Sequence, residues 1–383
     1  MTTMSQPPLL GYADRLSARP GDNVNVKVSS SISGQFSAHL VRVICADPNP
    51  EGPGVIEKSI PAHFEPHYPA RLQPFAPGSC GTVKLDVSTL LPQTLTVTAM
   101  IWPTRPEHSA QAIISFSNTR DEVSEFVLGI DQEGHGFAHI RLADGSIAEA
   151  TLLTTLQPRN WVRLWAAVNI DTGELTIGSH SKGRGETGTT RFGAGLSWRD
   201  KAIDEILIAA SRATQRGHHY NGKIDAPVIY PRCLNETELL TAIDNQDEPV
   251  FAAWDFSRGI NTTVIHDTGT NALNGRLVNY PARAMTGWNW DGSEMCWRHA
   301  PQQYGAIHFH DDDIYDFEWD TDFVFHVPED LQSGVYGIRL RQGEYNDTIP
   351  LVVCPPRNTQ SARLCVLVST FTRTVYGLSL IHI

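Results

Sequence analysis

The sequence predicts a mainly β protein built from two-layer sandwiches, and three observations carry that prediction. Short runs of alternating apolar and polar residues, rich in Val, Ile, Thr and aromatics, recur along the chain. Gly, Pro, Asn and Asp break these runs at close intervals, and long amphipathic helical patterns are almost absent. At 383 residues the chain is long for one core, so two or three domains are expected.

Bulk properties narrow the function classes. A 41% hydrophobic, 19% charged composition with nine Trp and fourteen Phe is that of a folding chain, not a disordered one. The formal net charge is −12 and no long Lys/Arg run occurs, which excludes the electrostatic footprint of a nucleic-acid binder. Met1 to Leu10 has neither a basic nor an apolar region of a signal peptide, and no stretch reaches membrane-span length, so a soluble, cytoplasmic protein without a membrane partner is expected. Cys45, Cys80, Cys233, Cys296, Cys354 and Cys365 form no Cys-x-x-Cys pair, which argues against a zinc ribbon and for buried free thiols.

Taken in order, the first strand is expected at Asn23–Ser29 after the turn Pro20-Gly21-Asp22, and the next at Phe36–Cys45, the two paired. Glu51 to Pro77 is Pro-rich and loses periodicity, as a crossing between domains does. Strands follow at Thr94–Ile101, Ala112–Phe116, Glu125–Ile130, Phe137–Leu142, Trp161–Ile170 and Glu174–Gly178, with hairpin signals at Asp144-Gly145 and Asp171-Thr172-Gly173. Tyr220 to Ile243 combines a strand with a short helix, capped by Asn235 with Glu238 completing a capping box.

Here a resemblance enters. NGKID (221–225), the apolar strand after it, Tyr230, Leu234 and the acidic helix resemble the closing segment of concanavalin A/laminin-G-like jelly rolls. The strand 161–170 and its DTGEL hairpin are similar to the unit before it.

Asp320 to Pro355 reads as three strands with the turn lengths of half an immunoglobulin-like sandwich. The first two strands are too few to close a sandwich alone, so they are expected to pair with this region around an inserted jelly roll. The resulting division is residues 9–74 plus 305–357 as a discontinuous immunoglobulin-like sandwich and 75–304 as the jelly roll. Arg363 to Ser369 is a continuous apolar strand of the kind buried in a parallel α/β sheet, placing the start of an α/β domain at 361–377. LSLIHI at 378–383 is expected to be a non-native tail.

The search for chemistry yields little. The alternating Glu-x-Asp-x-x-Glu pattern of one glycosidase group is absent, as are Gly-x-Ser-x-Gly, Walker and dinucleotide motifs; Gly183-Arg184-Gly185 and Gly193-Ala194-Gly195 read as loops. Asp311, Asp313 and Asp316 with His308 and His310 have alternating spacing that suits a metal on a strand, although clustered acids more often cap turns. His218 and His219 are adjacent and point to opposite faces unless the chain bends. Trp254, Trp288, Trp290, Trp297 and Trp319 read first as core and interface packing, with sugar stacking as the rival. That rival defines an alternative function, a carbohydrate-binding or protein-interaction module without catalysis.

Gly287–Asp316 (GWNWDGSEMCWRHAPQQYGAIHFHDDDIYD), FVFHVPEDLQSGVYGIRLR, VLVSTFTRTVYG and GYADRLSARPGD resemble the large (beta) subunit of the N,N-dimethylformamidase family, over residues 9 to 377. The resemblance implies an amidohydrolase splitting an N-substituted formamide into amine and formate. It implies a mononuclear iron, held by two tyrosines and a glutamate with a histidine nearby, acting as a Lewis acid on a small amide substrate. The iron site is implied to lie in a glutamine-amidotransferase-like α/β domain that begins at 363–369. Of a Thr-x-Thr-Tyr-x-x-Tyr pattern, Tyr376 matches the second tyrosine and stands as the metal ligand, whereas Arg373 replaces the first. A small subunit and a homo-oligomer are the implied partners, and this chain alone is expected to be an inactive scaffold.

Overall fold

The computed structural model describes residues 7–47, 49–86, 89–193, 198, 202–213, 215–245 and 247–369. The chain divides into two compact units, Met1–Phe75 with Phe317–Ile383, and Ala76–Asp316.

In the discontinuous unit, Leu9–Ala13, Asn23–Ser30 and Phe323–His326 form a three-stranded antiparallel sheet. A second sheet runs Ser17–Ala18, Tyr345–Val353, Gly334–Gln342, Gln35–Ala46 and Val55–Ile60 in spatial order. The period-two pattern sends Val24, Val26 and Val28 inward from the first sheet, and Phe36, Ala38, Leu40, Ile338 and Leu340 inward from the second. Burying each such aliphatic side chain stabilises the unit by about 1.5–3 kcal/mol.

The strands 23–30 and 35–46 do not pair with each other: the first lies between Leu9–Ala13 and Phe323–His326, the second between Gly334–Gln342 and Val55–Ile60. Alternation reports which face is buried, and strands that face each other across a core alternate just as paired strands do. The Pro-rich crossing also contains an edge strand, Val55–Ile60, too exposed to show periodicity.

Gln73 ties the two halves of this unit together. Its backbone N–H donates to Ser29 Oγ at 2.9 Å, its amide donates to Asp322 Oδ2 at 3.1 Å, and its Oε1 accepts from the Asp320 N–H at 2.8 Å. Arg71 Nε lies 3.0 Å from Asp322 Oδ1. Arg363–Val368, expected as a strand, is unpaired in the structure, and Leu364, Val366 and Leu367 are exposed. A strand is defined by its ladder, and among the described residues none pairs with this run.

The second unit is a two-sheet jelly roll. One sheet runs Ile147–Thr155, His135–Arg141, Val123–Ile130, Gln111–Asn118, Glu205–Ile208, Cys80–Lys84 and Gly275–Val278. The other runs Arg184–Arg191, Glu174–Ser181, Val162–Asn169, Thr94–Pro103 and Gly222–Tyr230, the last also pairing with Ala306–Phe309. That last strand, expected in the outer sandwich, is therefore part of this unit. The sheets meet over Leu95, Val97, Ile101, Phe116, Phe126, Leu164 and Ile224. Gly145 and Gly173 adopt the left-handed backbone that their hairpin turns need, with φ of 84° and 67°.

Among the described residues one α-helix, Glu236–Asp244, lies on the outer face of the second sheet with Leu239 and Ala242 against Trp165 and Ala167. It starts where the sequence places it: the Glu238 N–H donates to Asn235 Oδ1 at 3.0 Å, and Glu238 Oε2 accepts from the Asn235 N–H at 2.9 Å. Among the described residues no helix is long and apolar enough to cross a membrane.

Candidate functional site

The densest group of titratable side chains in the jelly roll forms at the end of Ala306–Phe309. Ile307 and Phe309 point into the core, so His308 points to the outer face. Register sets its neighbours: His308 lies opposite Lys223, and Lys223 opposite Trp102. The Lys223 ammonium sits 4.8 Å from the centre of the Trp102 ring and donates to Thr286 Oγ1 at 2.8 Å.

The strand stops at Phe309, and the acids that follow sit in a turn rather than on alternating strand positions. Asp313 Oδ2 accepts from Ser79 Oγ at 2.6 Å and lies 3.3 Å from His310 Nδ1. The Asp311 N–H donates to Asn221 Oδ1 at 3.2 Å, and its carboxylate faces His108 at 3.9 Å. The carboxylates thus diverge onto separate partners. Among the described residues no three His, Cys, Asp or Glu side chains are arranged to hold a metal ion, which corrects the metal reading of His308, His310, Asp311, Asp313 and Asp316. The reason is local: the strand ends before the acids, so the spacing that would align them does not apply.

The imidazoles of His308 and His310, tilted to one another with centres 4.2 Å apart, are pushed in opposite directions. Burial, with His310 and Lys223 nearby, lowers His308 to about 4, so it is neutral at pH 7. The hydrogen bond to Asp313 raises His310 against its partial burial. The arrangement favours a proton on His310 over His308.

His218 and His219 follow the strand Gln215–Gly217 and turn apart. His218 Nδ1 pairs with Ser211 Oγ at 2.9 Å, while His219 Nδ1 donates to the Ser79 carbonyl at 3.1 Å. All six cysteines are free, and burial pushes the Cys80 and Cys233 thiols up to about 11, far from thiolate reactivity. Trp254 and Trp319 are buried, with indole N–H donors satisfied at 2.8 Å by the Leu273 and Pro74 carbonyls. Trp288 and Trp290 are exposed. Gly183 occupies a hairpin turn, whereas residues 194–195 of the second glycine triplet lie outside the described residues. Tyr376, Arg373 and the Thr370–Thr372 run also lie outside them.

Sequence reading passes over Asp225, the last residue of NGKID, as a fold signature. It is a buried carboxyl whose desolvation raises it to about 6, with Oδ2 accepting from the Trp288 N–H at 3.2 Å. A charged residue inside an otherwise apolar strand was the available signal.

Comparison with known proteins adds family relationships. A model described as N,N-dimethylformamidase beta subunit-like, C-terminal, matches residues 282–378, and one described as concanavalin A-like lectin/glucanases superfamily matches residues 77–240. The N,N-dimethylformamidase beta subunit of Paracoccus aminophilus is 34% identical over 397 residues, which cover 96% of this chain and 52% of that one. The beta subunit of an Alcaligenes species is 34% identical over 399 residues, with the same coverage. This chain spans about half the length of the curated relatives it matches. A heptameric SAP-like pentraxin from Limulus polyphemus aligns at 13% identity and a TM-score of 0.34, covering 47% of this chain and 81% of that one, too distant to argue from. The chain belongs to the N,N-dimethylformamidase beta subunit family.

Proposed function

We propose that this chain is the N-terminal scaffold part of an iron-dependent amidohydrolase that cleaves N-substituted formamides into amine and formate. The observation that supports it is 34% identity, across nearly the whole chain, to two proteins named as N,N-dimethylformamidase beta subunits. The iron ligand proposed within this chain is Tyr376. Among the described residues no three His, Cys, Asp or Glu side chains converge on a metal position, and Asp311 and Asp313 are held by separate protein partners, so no step of hydrolysis is assigned to them.

In this reading residues 361–377 open the α/β catalytic domain, and residues 9–74 with 305–357 are immunoglobulin-like. The relatives' designation as beta subunits supports a second, smaller subunit and a larger assembly. Free thiols suit a cytoplasmic setting.

The test is amine release from dimethylformamide by the 383-residue chain, with ferric iron supplied. No release above the iron-only control is expected, while a longer protein carrying the following sequence should turn over and contain iron. Turnover by this chain alone would overturn the scaffold assignment.

A further inference from the structure

The outer face of the second jelly-roll sheet carries a charged row read directly from register. Asp225 lies opposite Met100, Met100 opposite Arg163, and Arg163 opposite His180, across four neighbouring strands. Residues opposite one another share a face, so all four side chains project on the side away from the main core, where Val162 and Leu164 are buried. The helix covers Trp165 and Ala167, the next positions along this face, and leaves Arg163 as the floor of a cavity.

That cavity has a volume of about 650 Å³, the size of a small-molecule site. Trp102, Trp161 and Trp288 line it, together with Arg159 and Lys182. Arg163 is 6% exposed and its side chain makes no hydrogen bond or ion pair with another described residue, and its guanidinium nitrogens are not among the fully buried atoms that lack a partner, so they open onto the cavity. Asp225 and Asp244 act on it only through space. Its neighbours across the row are already committed: Asp225 accepts from the Trp288 N–H, and His180 Nδ1 is 2.7 Å from Glu236 Oε1.

A guanidinium keeps its charge, and its N–H donors, open to the cavity, are available to a ligand. A carboxylate satisfies two of them at once in a planar fork. The nearby Asp225 and Asp244 disfavour a dianion such as phosphate, and the surrounding indoles offer flat apolar faces to the rest of the ligand. A cationic pocket in a chain of net charge −12 is also opposite in sign to the molecule that carries it.

We propose that this pocket binds a small-molecule carboxylate, with the Arg163 guanidinium gripping the carboxylate and Trp102, Trp161 and Trp288 holding a flat body. The site is independent of the amide chemistry proposed for the family.

The experiment is calorimetric titration, with indole fluorescence in parallel, of the 383-residue chain with benzoate, indole-3-acetate and glucuronate. At least one should bind and change the Trp emission, and its neutral amide should bind about tenfold or more weakly, the loss expected for a hydrogen-bonded charge. R163Q should weaken binding by a similar factor. W288A, a change at a residue 46% exposed, should weaken it severalfold with an unchanged melting temperature. Silence from all three carboxylates, equal binding of acid and amide, or inorganic phosphate competing as well as the carboxylate would each overturn the proposal. Should R163Q fail to fold, the acid–amide ratio and W288A decide.

Discussion

Two charged groups on the jelly roll, the His308–Asp316 corner and the Arg163 row, differ in a way that separates structure from function. In the corner, Asp313 is engaged by Ser79 and His310, and Asp311 by Asn221 and His108. In the row, Arg163 is deeply buried and its side chain has no hydrogen-bond or ion-pair partner among the described residues. In the corner the carboxylates of Asp311 and Asp313 are held within the protein, as in structural polar clusters, while His308 Nε2 is buried without a hydrogen-bond partner among the described residues. In the row the guanidinium opens onto a cavity. The group with more acids and histidines is thus the one with less chemistry to offer.

That contrast can be broken most severely at Asp313. D313A removes the acceptor of Ser79 and the partner of His310, and should destabilise the chain by about 2–3 kcal/mol in urea unfolding. A loss near zero would mean the corner is not structural. K223M removes the hydrogen bond to Thr286 and the contact with Trp102, with an expected loss of about 1–2 kcal/mol.

Acid titration sharpens the same comparison. Burial holds His308 and His139 at about 4 in the folded chain, against an ordinary 6.5. The unfolded state therefore binds their protons first, so their contribution is complete above pH 6.5 and is lost as the pH falls towards 4. His310 has the opposite sign: raised by Asp313, it favours the folded chain below pH 6.5 and loses that contribution as the pH rises through its folded value. Unfolding midpoints measured from pH 7 to 4 should fall less steeply in H308Q than in the parent, and a parallel slope would contradict the assignment. The smallest effect is expected at the helix start, where N235A removes one cap for about 1 kcal/mol.

Much of this fold was legible because burial writes itself into local pattern. The strands Thr94–Pro103 and Val162–Asn169 are bounded by turns that need particular residues, and the helix announces itself through Asn235 and Glu238. Strands with little buried surface are not legible: Arg184–Arg191 buries no side chain and Ile147–Thr155 buries Ala150 and Leu152, both at sheet edges where little apolar surface needs covering. Pairing was not legible either, since the strands 23–30 and 35–46 alternate alike but lie in opposite sheets.

The site followed the same rule. Asp311 and Asp313 are conspicuous in sequence because they belong to one run of three acids, and closeness in sequence says little about convergence once a strand ends. Arg163 hides in WVRLWAAV, and its relation to Met100, Asp225 and His180 exists only through the register of four strands. A long-range register is the part of a β fold that local pattern leaves open.

The most direct measurement of the contrast is a pair of equilibrium unfolding curves, for R163M and D313A against the parent chain, without added ligand. R163M is expected to be as stable as the parent or more so, because it removes a largely desolvated charge that has no partner among the described residues, while D313A should lose about 2–3 kcal/mol. R163M destabilised as much as D313A would contradict it, showing that the guanidinium already serves the fold.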